Sequence, residues 1–372
     1  MIACAREDVE LARSARDAEP PATADSGATP ATDAGPEPPQ VPPVFEQALC
    51  VCASATFALG LSIDTFDSTE GAFATGQGGA RMGVNGPLTS TAAVNVRGSL
   101  IASATGLLPI AEGPFQIETD FKTNAGLTVT AFDVAVGRDL WVNADIVTLA
   151  PVRVARDLYQ SKNRGGADAV VVGGQTRVQD FVIPAPCACE RSKLIDIGAI
   201  VAAGMTTHDN QARGVSRDAL RTVSAKLELD CGRYAFEAGQ ILSGGQVEAR
   251  GDATLFVDGD LAIAGKFGTA LGPNAEMDVF VTGNLVLGQG ADVGSSANPA
   301  ALRFYVGGEG DIAMTGPLEF AANLYAPNTG LALSADQETY GAMFVATYQS
   351  IANHVIHYDR AIQHLRESKC QN

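Results

Sequence analysis

Residues 134–140 read VAVGRDL, residues 152–158 read VRVARDL, and residues 170–176 read VVVGGQT. The three runs recur every 18 residues. In each, two valines flank one other residue. That alternation puts both valines on one face of an extended strand and the middle residue on the other. A unit this short cannot bury its own apolar face, so it must stack on its neighbours. A related run, VNVRGSL, opens at Val94.

The second half carries a longer version of the unit. It appears as LFVDGDLAIAG from Leu255, VFVTGNLVLGQG from Val279, FYVGGEGDIAMTG from Phe304 and LYAPNTGLALSAD from Leu324. Corresponding aromatics fall at Phe256, Phe280, Tyr305, Tyr325 and Phe344, so the period wanders between 19 and 25 residues. Each unit alternates, turns at Gly, Asp or Asn, and alternates again. The pattern predicts an all-β chain folded as a parallel β-helix, or solenoid. Uneven coil lengths favour the right-handed kind over a left-handed hexapeptide helix. A β-sandwich is the competing architecture, but regular two-residue hairpin turns are missing.

Composition agrees. The chain has 372 residues, 40 of them Gly, and Trp141 is its one tryptophan. Small and β-branched residues fill a core of this kind. A net charge of −17 repels phosphate backbones, which argues against nucleic acid as a partner. No run reaches the roughly 18 to 20 apolar residues that span a bilayer.

Two segments interrupt the repeat. The stretch from Arg191 predicts an inserted helix near 191–206, followed by a loop at THDNQARG. The end, HYDRAIQHLRESKCQN, predicts a C-terminal helix over 358–372 that caps an exposed solenoid end. Residues 5–43 are rich in Pro, Ala and Thr and predict a disordered tether. The expected order is therefore a tether, a first solenoid half over 44–186, and a cysteine-containing insertion over 187–230. A second half over 231–357 and the terminal helix complete it.

Met1-Ile2-Ala3-Cys4 resembles the last four positions of a bacterial lipobox, with Cys4 as the lipidated residue. Residues 1–4 then read as the remnant of an export signal, and the lipid at Cys4 holds the chain to a membrane. Six cysteines remain: Cys50, Cys52, Cys187, Cys189, Cys231 and Cys370. In an exported chain they are disulfide candidates. One scheme joins Cys50 and Cys52 to Cys187 and Cys189, and Cys231 to Cys370. Six cysteines allow 15 pairings, and the sequence does not choose among them. A four-cysteine zinc site is the rival, disfavoured by the single residue between paired cysteines.

The stretches LSIDTFDSTEGAF, LFVDGDLAI, NLYAPNTGLALS and YGAMFVATYQSIANHVIHYDRAI resemble a family of exported bacterial β-solenoid proteins. Its members carry a domain of unknown function also seen beside PilX-type pilus-assembly sequences. The family is distantly similar to the polymer-forming bactofilins. The resemblance spans roughly residues 50–364 and implies a right-handed parallel β-helix in the envelope or on the cell surface. It implies no catalytic residue. ATYQSIANHV stands where SGN-like turns are expected, so the last coil should be irregular.

Three groups of residues invite chemistry. His354, His357 and His364 cluster with Asp359, but His354 and His357 should point to opposite faces of one strand, so no metal site is expected. His208 lies apart. Asp258, Asp260, Asn284, Asp292 and Asp311 sit at turns without the nonapeptide calcium repeat. Asp139 and Asp157 fall in matching frames one coil apart, a spacing open to a glycosidase-type carboxylate pair. Arg138 and Arg156 precede them, so an Arg/Asp ladder explains the pattern without catalysis. The sequence thus predicts a non-enzymatic, lipid-anchored envelope solenoid without cofactor. Its expected partners are an envelope polysaccharide, a surface protein, or a copy of itself end to end. The alternatives are a carbohydrate-active enzyme and a bactofilin-like polymer.

Overall fold

A computed structural model describes residues 44–110 and 113–364. It is a parallel β-solenoid of about 14 turns with one short α-helix. Every strand pair is parallel, and the Val-x-Val runs stack in the expected register. Val134 lies beside Val152 and Val152 beside Val170, with the valines buried inward. At ~4.8 Å per coil, the thirteen-stranded sheet gives a rod about 60 Å long.

The coils are not stacked in the order of the sequence. The strand Leu61–Phe66, in the first coil, pairs on one side with Val94–Val96 and on the other with His354–Asp359, the last strand among the described residues. Leu49–Phe57 likewise pairs with Met343–Ser350. The first and last coils therefore meet in a seam at the middle of the rod. Six strands of the thirteen-stranded sheet lie on one side of the seam and seven on the other. From the seam the first half runs to one end, at Val170–Val172 and Thr176–Val178. The second half starts at the far end, at Lys226–Leu229, and winds back to the seam.

Residues 179–225 must therefore travel the length of the rod, and they do so as a strap along its side. The strap follows one column of outward side chains. That column runs Phe256, Phe280, Tyr305, Tyr325, Phe344, Cys50 and Gly83, each beside the next in register. The periodic aromatics of the second half thus face outward, yet all five are buried. The helix Ile197–Gly204 lies over their upper members. A Cβ on Gly204 would stand 2.2 Å from the Phe256 ring, so only glycine lets the helix seat this closely. Asp196 caps the helix by accepting the Ala199 N–H at 2.9 Å. Lower down, Ile195 N–H donates to Tyr325 Oη at 3.0 Å, and Asn124 exchanges hydrogen bonds with both backbone groups of Ile183.

Two disulfides fasten the strap at the seam, Cys50–Cys187 and Cys52–Cys189. Each links residues 137 apart. Cys231 is disulfide-bonded as well. Cys370, its expected partner, lies outside the described residues, as do Cys4, the lipobox remnant and the tether. Disulfides persist in oxidising compartments, so the chain suits an extracytoplasmic environment. Among the described residues, no helix is long and apolar enough to cross a membrane.

The predicted C-terminal helix is corrected over 358–364, while residues 365–372 lie outside the described residues. Tyr358 and Asp359 belong to the last strand, and the chain leaves that strand through a 3₁₀ turn, Arg360–His364. The turn lies at the seam rather than at a solenoid end, because the strand before it has neighbours on both sides. The insertion also differs from expectation. It begins at 179, and it spans the rod instead of standing between two consecutive blocks. The last coil is irregular as expected: its register against Leu49–Phe57 shifts between Val51 and Ser54.

Candidate functional site: corner ladders, the seam cluster and an outer trough

The Arg-Asp steps of the repeat sit where one sheet turns into the next. Asp120 accepts from the Asp139 N–H at 3.4 Å, Asp139 from the Asp157 N–H at 3.2 Å, and Asp157 from the Gln175 N–H at 2.9 Å. Each carboxylate thus bonds the backbone of the next coil. Each also receives an arginine from that coil: Arg138 on Asp120, Arg156 on Asp139 and Arg177 on Asp157. The Arg156 guanidinium, donating through Nε at 2.6 Å and through a second nitrogen, holds the Asp139 carboxyl below its usual range. Asp139 is buried. A hydrolase would need a free acid and a free base facing a substrate. Asp139 and Asp157 instead form successive rungs of an axial ladder.

The second half builds the same corner with other residues. Asp260 accepts from the Asn284 N–H at 2.7 Å, and Asn284 from the Gly310 N–H at 2.8 Å. Asp258 accepts from Thr282 at 3.2 Å, Asp292 faces Lys266 at 3.4 Å, and Asp311 is exposed. Among the described residues, no group of three or more His, Cys, Asp or Glu is placed to hold a metal.

The histidines separate as strand geometry requires. His354 points inward and is fully buried. Tyr348 lies 2.6 Å from its Nδ1 and Thr339 2.9 Å from its Nε2. Burial pushes its pKa down to about 3, so the ring is neutral, donating from one nitrogen and accepting at the other. His357 points outward between two coils. Its Nδ1 meets Asp64 at 2.6 Å and its Nε2 meets Glu338 at 3.0 Å. Tyr340, donating to Glu338 at 2.6 Å, and His357 hold the Glu338 carboxyl below its usual range. Phe73, on the loop after the first coil, lies over the His357 ring at a centroid distance of 3.9 Å. Asp64, Glu338 and His357 come from three adjacent strands of the first and last coils, so the group ties the seam together. His364 lies at the rim of a separate cleft, and His208 accepts from the Asn210 N–H at 3.3 Å.

Arg303 was not singled out by the sequence. It is 3% exposed, donates to both oxygens of Asp278 at 2.5 and 2.9 Å, and meets Glu276 at 2.8 Å. Burial opposes its charge, but Asp278 and Glu276 outweigh that and keep it protonated. Its only sequence signal was its position: Arg303 follows Asp278 in the outward column one coil on.

An open trough of about 620 Å³ lies on the outer face of the thirteen-stranded sheet in the first half. Asn95, Gln116, Ala135, Arg153 and Val171 line it in register, one per coil. Beside them run Arg97, Glu118, Gly137, Ala155 and Gly173, and the short residues make the depression. Arg153 pairs with Asp133 at the rim. On the neighbouring sheet Trp141 stacks flat on Tyr159, with centroids 3.7 Å apart. Lys122 and Arg177 lie over the two ends of that stack, so the aromatic faces are already covered.

Residues 193–365 match the model of a family described as a domain of unknown function (DUF7305). The match takes in the helix of the strap and every coil from the far end to the seam. No curated protein and no solved structure matches the chain.

Proposed function

We propose that this chain is a non-catalytic structural rod of the cell envelope, whose outer trough holds an extended polysaccharide. One observation carries the reading. The polar groups suited to chemistry at the corners are spent on axial ladders, while Asn95 and Gln116 on adjacent coils, Glu118 beside Gln116, and Arg153 two coils further on face an open trough. Amide and charged side chains aligned along the axis on several coils suit hydroxyl groups spread along a polymer. The disulfides favour display outside the cytoplasm. We extend the reading to a lipid anchor at Cys4, on the resemblance of residues 1–4 to a lipobox.

The test is co-sedimentation with insoluble envelope polysaccharide. Binding should fall at least tenfold in the double variant Gln116→Ala, Arg153→Ala and persist in Asp139→Asn. Release of new reducing ends by the wild type, lost in Asp139→Asn or Asp157→Asn, would replace the rod with a carbohydrate-active enzyme. For the anchor, labelled fatty acid should enter the wild type and not Cys4→Ala.

A further inference from the structure

Cys231 is disulfide-bonded, and the four cysteines at the seam are already paired with one another. Of the seven cysteines in the chain, only Cys4 and Cys370 remain for it. Cys231 stands in the coil at the far end, at the corner between Lys226–Leu229 and Gly232–Phe236.

That corner can be followed coil by coil back to the seam. A Cβ on Gly251 would stand 3.0 Å from the Cys231 Cβ, and the Gly232 N–H donates to the Asp252 carbonyl at 3.0 Å. The Asp252 carboxylate accepts the Glu276 N–H at 3.0 Å. Glu276 meets Arg303 of the following coil at 2.8 Å. Ala300, three residues before Arg303, donates its N–H to Asp359 at 3.3 Å. Asp359 ends the last described strand, and the turn Arg360–His364 follows it. Beside this column lies a cleft of about 350 Å³, lined by Asn274, Glu276, Asn298 and Ala301. His364, the last of the described residues, stands at its rim. The chain therefore leaves the solenoid on the same corner that leads to Cys231.

Length and charge select Cys370 as the partner. From Glu276 the corner reaches Asp252 in one coil and Cys231 in two, about 10 Å along the axis. Six residues lead from His364 to Cys370, and six extended residues span about 20 Å. Cys4 lies 40 residues before Val44, and closing the longer connection is about tenfold less favourable by loop entropy. Asp230, Asp252 and Glu276 make the corner acidic, while Arg366 and Lys369 precede Cys370. Asp252 has an interaction partner besides the Glu276 N–H. It stands one coil before Cys231 on the path, where Lys369 arrives one residue before Cys370.

We propose that residues 365–370 form a second strap: they run from the cleft along this corner, set Lys369 on Asp252, and end in a Cys231–Cys370 disulfide. Its formation joins two thiols as S–S and passes two electrons and two protons to a disulfide oxidant, which is reduced to two thiols. The bond links residues 139 apart. The seam disulfides hold the first coil, and this one holds the last coil to the coil that begins the second half. The inference is independent of polysaccharide binding.

Peptide mapping by mass spectrometry of the full chain, purified without reductant, tests the bond. A peptide pair joining Cys231 to Cys370, lost on reduction, is expected. Trypsin tests the path, with cuts counted after reduction. Cleavage after Arg366 and Lys369 should be at least tenfold slower in the wild type than in Cys370→Ser. Circular dichroism would confirm that this variant is folded. Asp252→Asn can still accept the Glu276 N–H and should keep the disulfide, yet speed cleavage after Lys369 severalfold. Cys231 joined to Cys4 overturns the proposal, as does Cys231 joined to its own copy in a second molecule, or a free thiol there. So does a Cys231–Cys370 bond with Lys369 cut as fast in the wild type as in Cys370→Ser, or a cleavage rate indifferent to Asp252→Asn.

Discussion

Asp64 and His357 lie 293 residues apart in the chain and 2.6 Å apart in the fold, in register on adjacent parallel strands. This pair joins the first coil to the last. Glu338 holds the other ring nitrogen at 3.0 Å. Carboxylates only accept, so both contacts are hydrogen bonds at once only when the ring carries both protons. Replacing His357 by alanine takes the imidazole donor from Asp64 and leaves Glu338 with the Tyr340 hydroxyl. We expect a loss of about 2–4 kcal/mol in chemical denaturation. An unchanged midpoint would mean that the seam does not depend on this contact.

The disulfides should act as one fastening. Either bond alone closes a loop of 137 residues, worth about 5 kcal/mol in the chain-entropy estimate. Once one is formed, the other closes only a few residues. The paired variants Cys50→Ala with Cys187→Ala, and Cys52→Ala with Cys189→Ala, should each lose about 1 kcal/mol. The quadruple variant should lose several times more. Denaturation midpoints of the three proteins decide it, and a purely additive series would contradict the loop argument.

Acid should weaken the protein through His354. Its folded pKa is depressed to about 3 by burial, against an ordinary value of 6.5. Above 6.5 the ring is neutral folded or unfolded and contributes no pH dependence. As pH falls below 6.5, only the unfolded chain takes the proton. Stability then drops by about 1.4 kcal/mol per pH unit until the folded pKa is reached. His354→Gln should be less stable at pH 7 but lose less between pH 7 and 5. Equal slopes for the two proteins would show that another group dominates.

Gly204→Ala sets two effects against each other. Alanine favours a helix over glycine by about 1 kcal/mol. Its methyl would also enter the Phe256 ring, and overpacking costs about 1–3 kcal/mol. The clash should win, with a net loss of about 1–2 kcal/mol by thermal or chemical denaturation. Adding Phe256→Leu should recover part of it. A stabilised single variant would mean that the helix sits further from the column.

The coil itself was legible in the sequence because a solenoid writes its period into every turn. Val134, Val152 and Val170 are in frame in the chain and in register in the fold. Stacking order left no such mark. A column such as Phe344 beside Cys50 joins residues far apart in the chain, and short-range periodicity cannot report it. The same limit explains the misplaced cap: HYDRAIQH lies late in the sequence but at the middle of the rod. The outward direction of Phe256 and Phe280 was hidden too, because a strap-covered aromatic reads like a core aromatic. Asp139 and Asp157 were found by their spacing. Only the geometry of Arg156 and the next coil's N–H groups separated ladder from active site.

The strap and the seam together bring Val44 and His364 to the waist of the rod. Whatever is attached through Val44 pulls at the midpoint and leaves both tips clear. A rod held by its tip stands away from a surface and offers one end. One held by its waist lies along the surface like a beam on a central post, and it offers its whole flank.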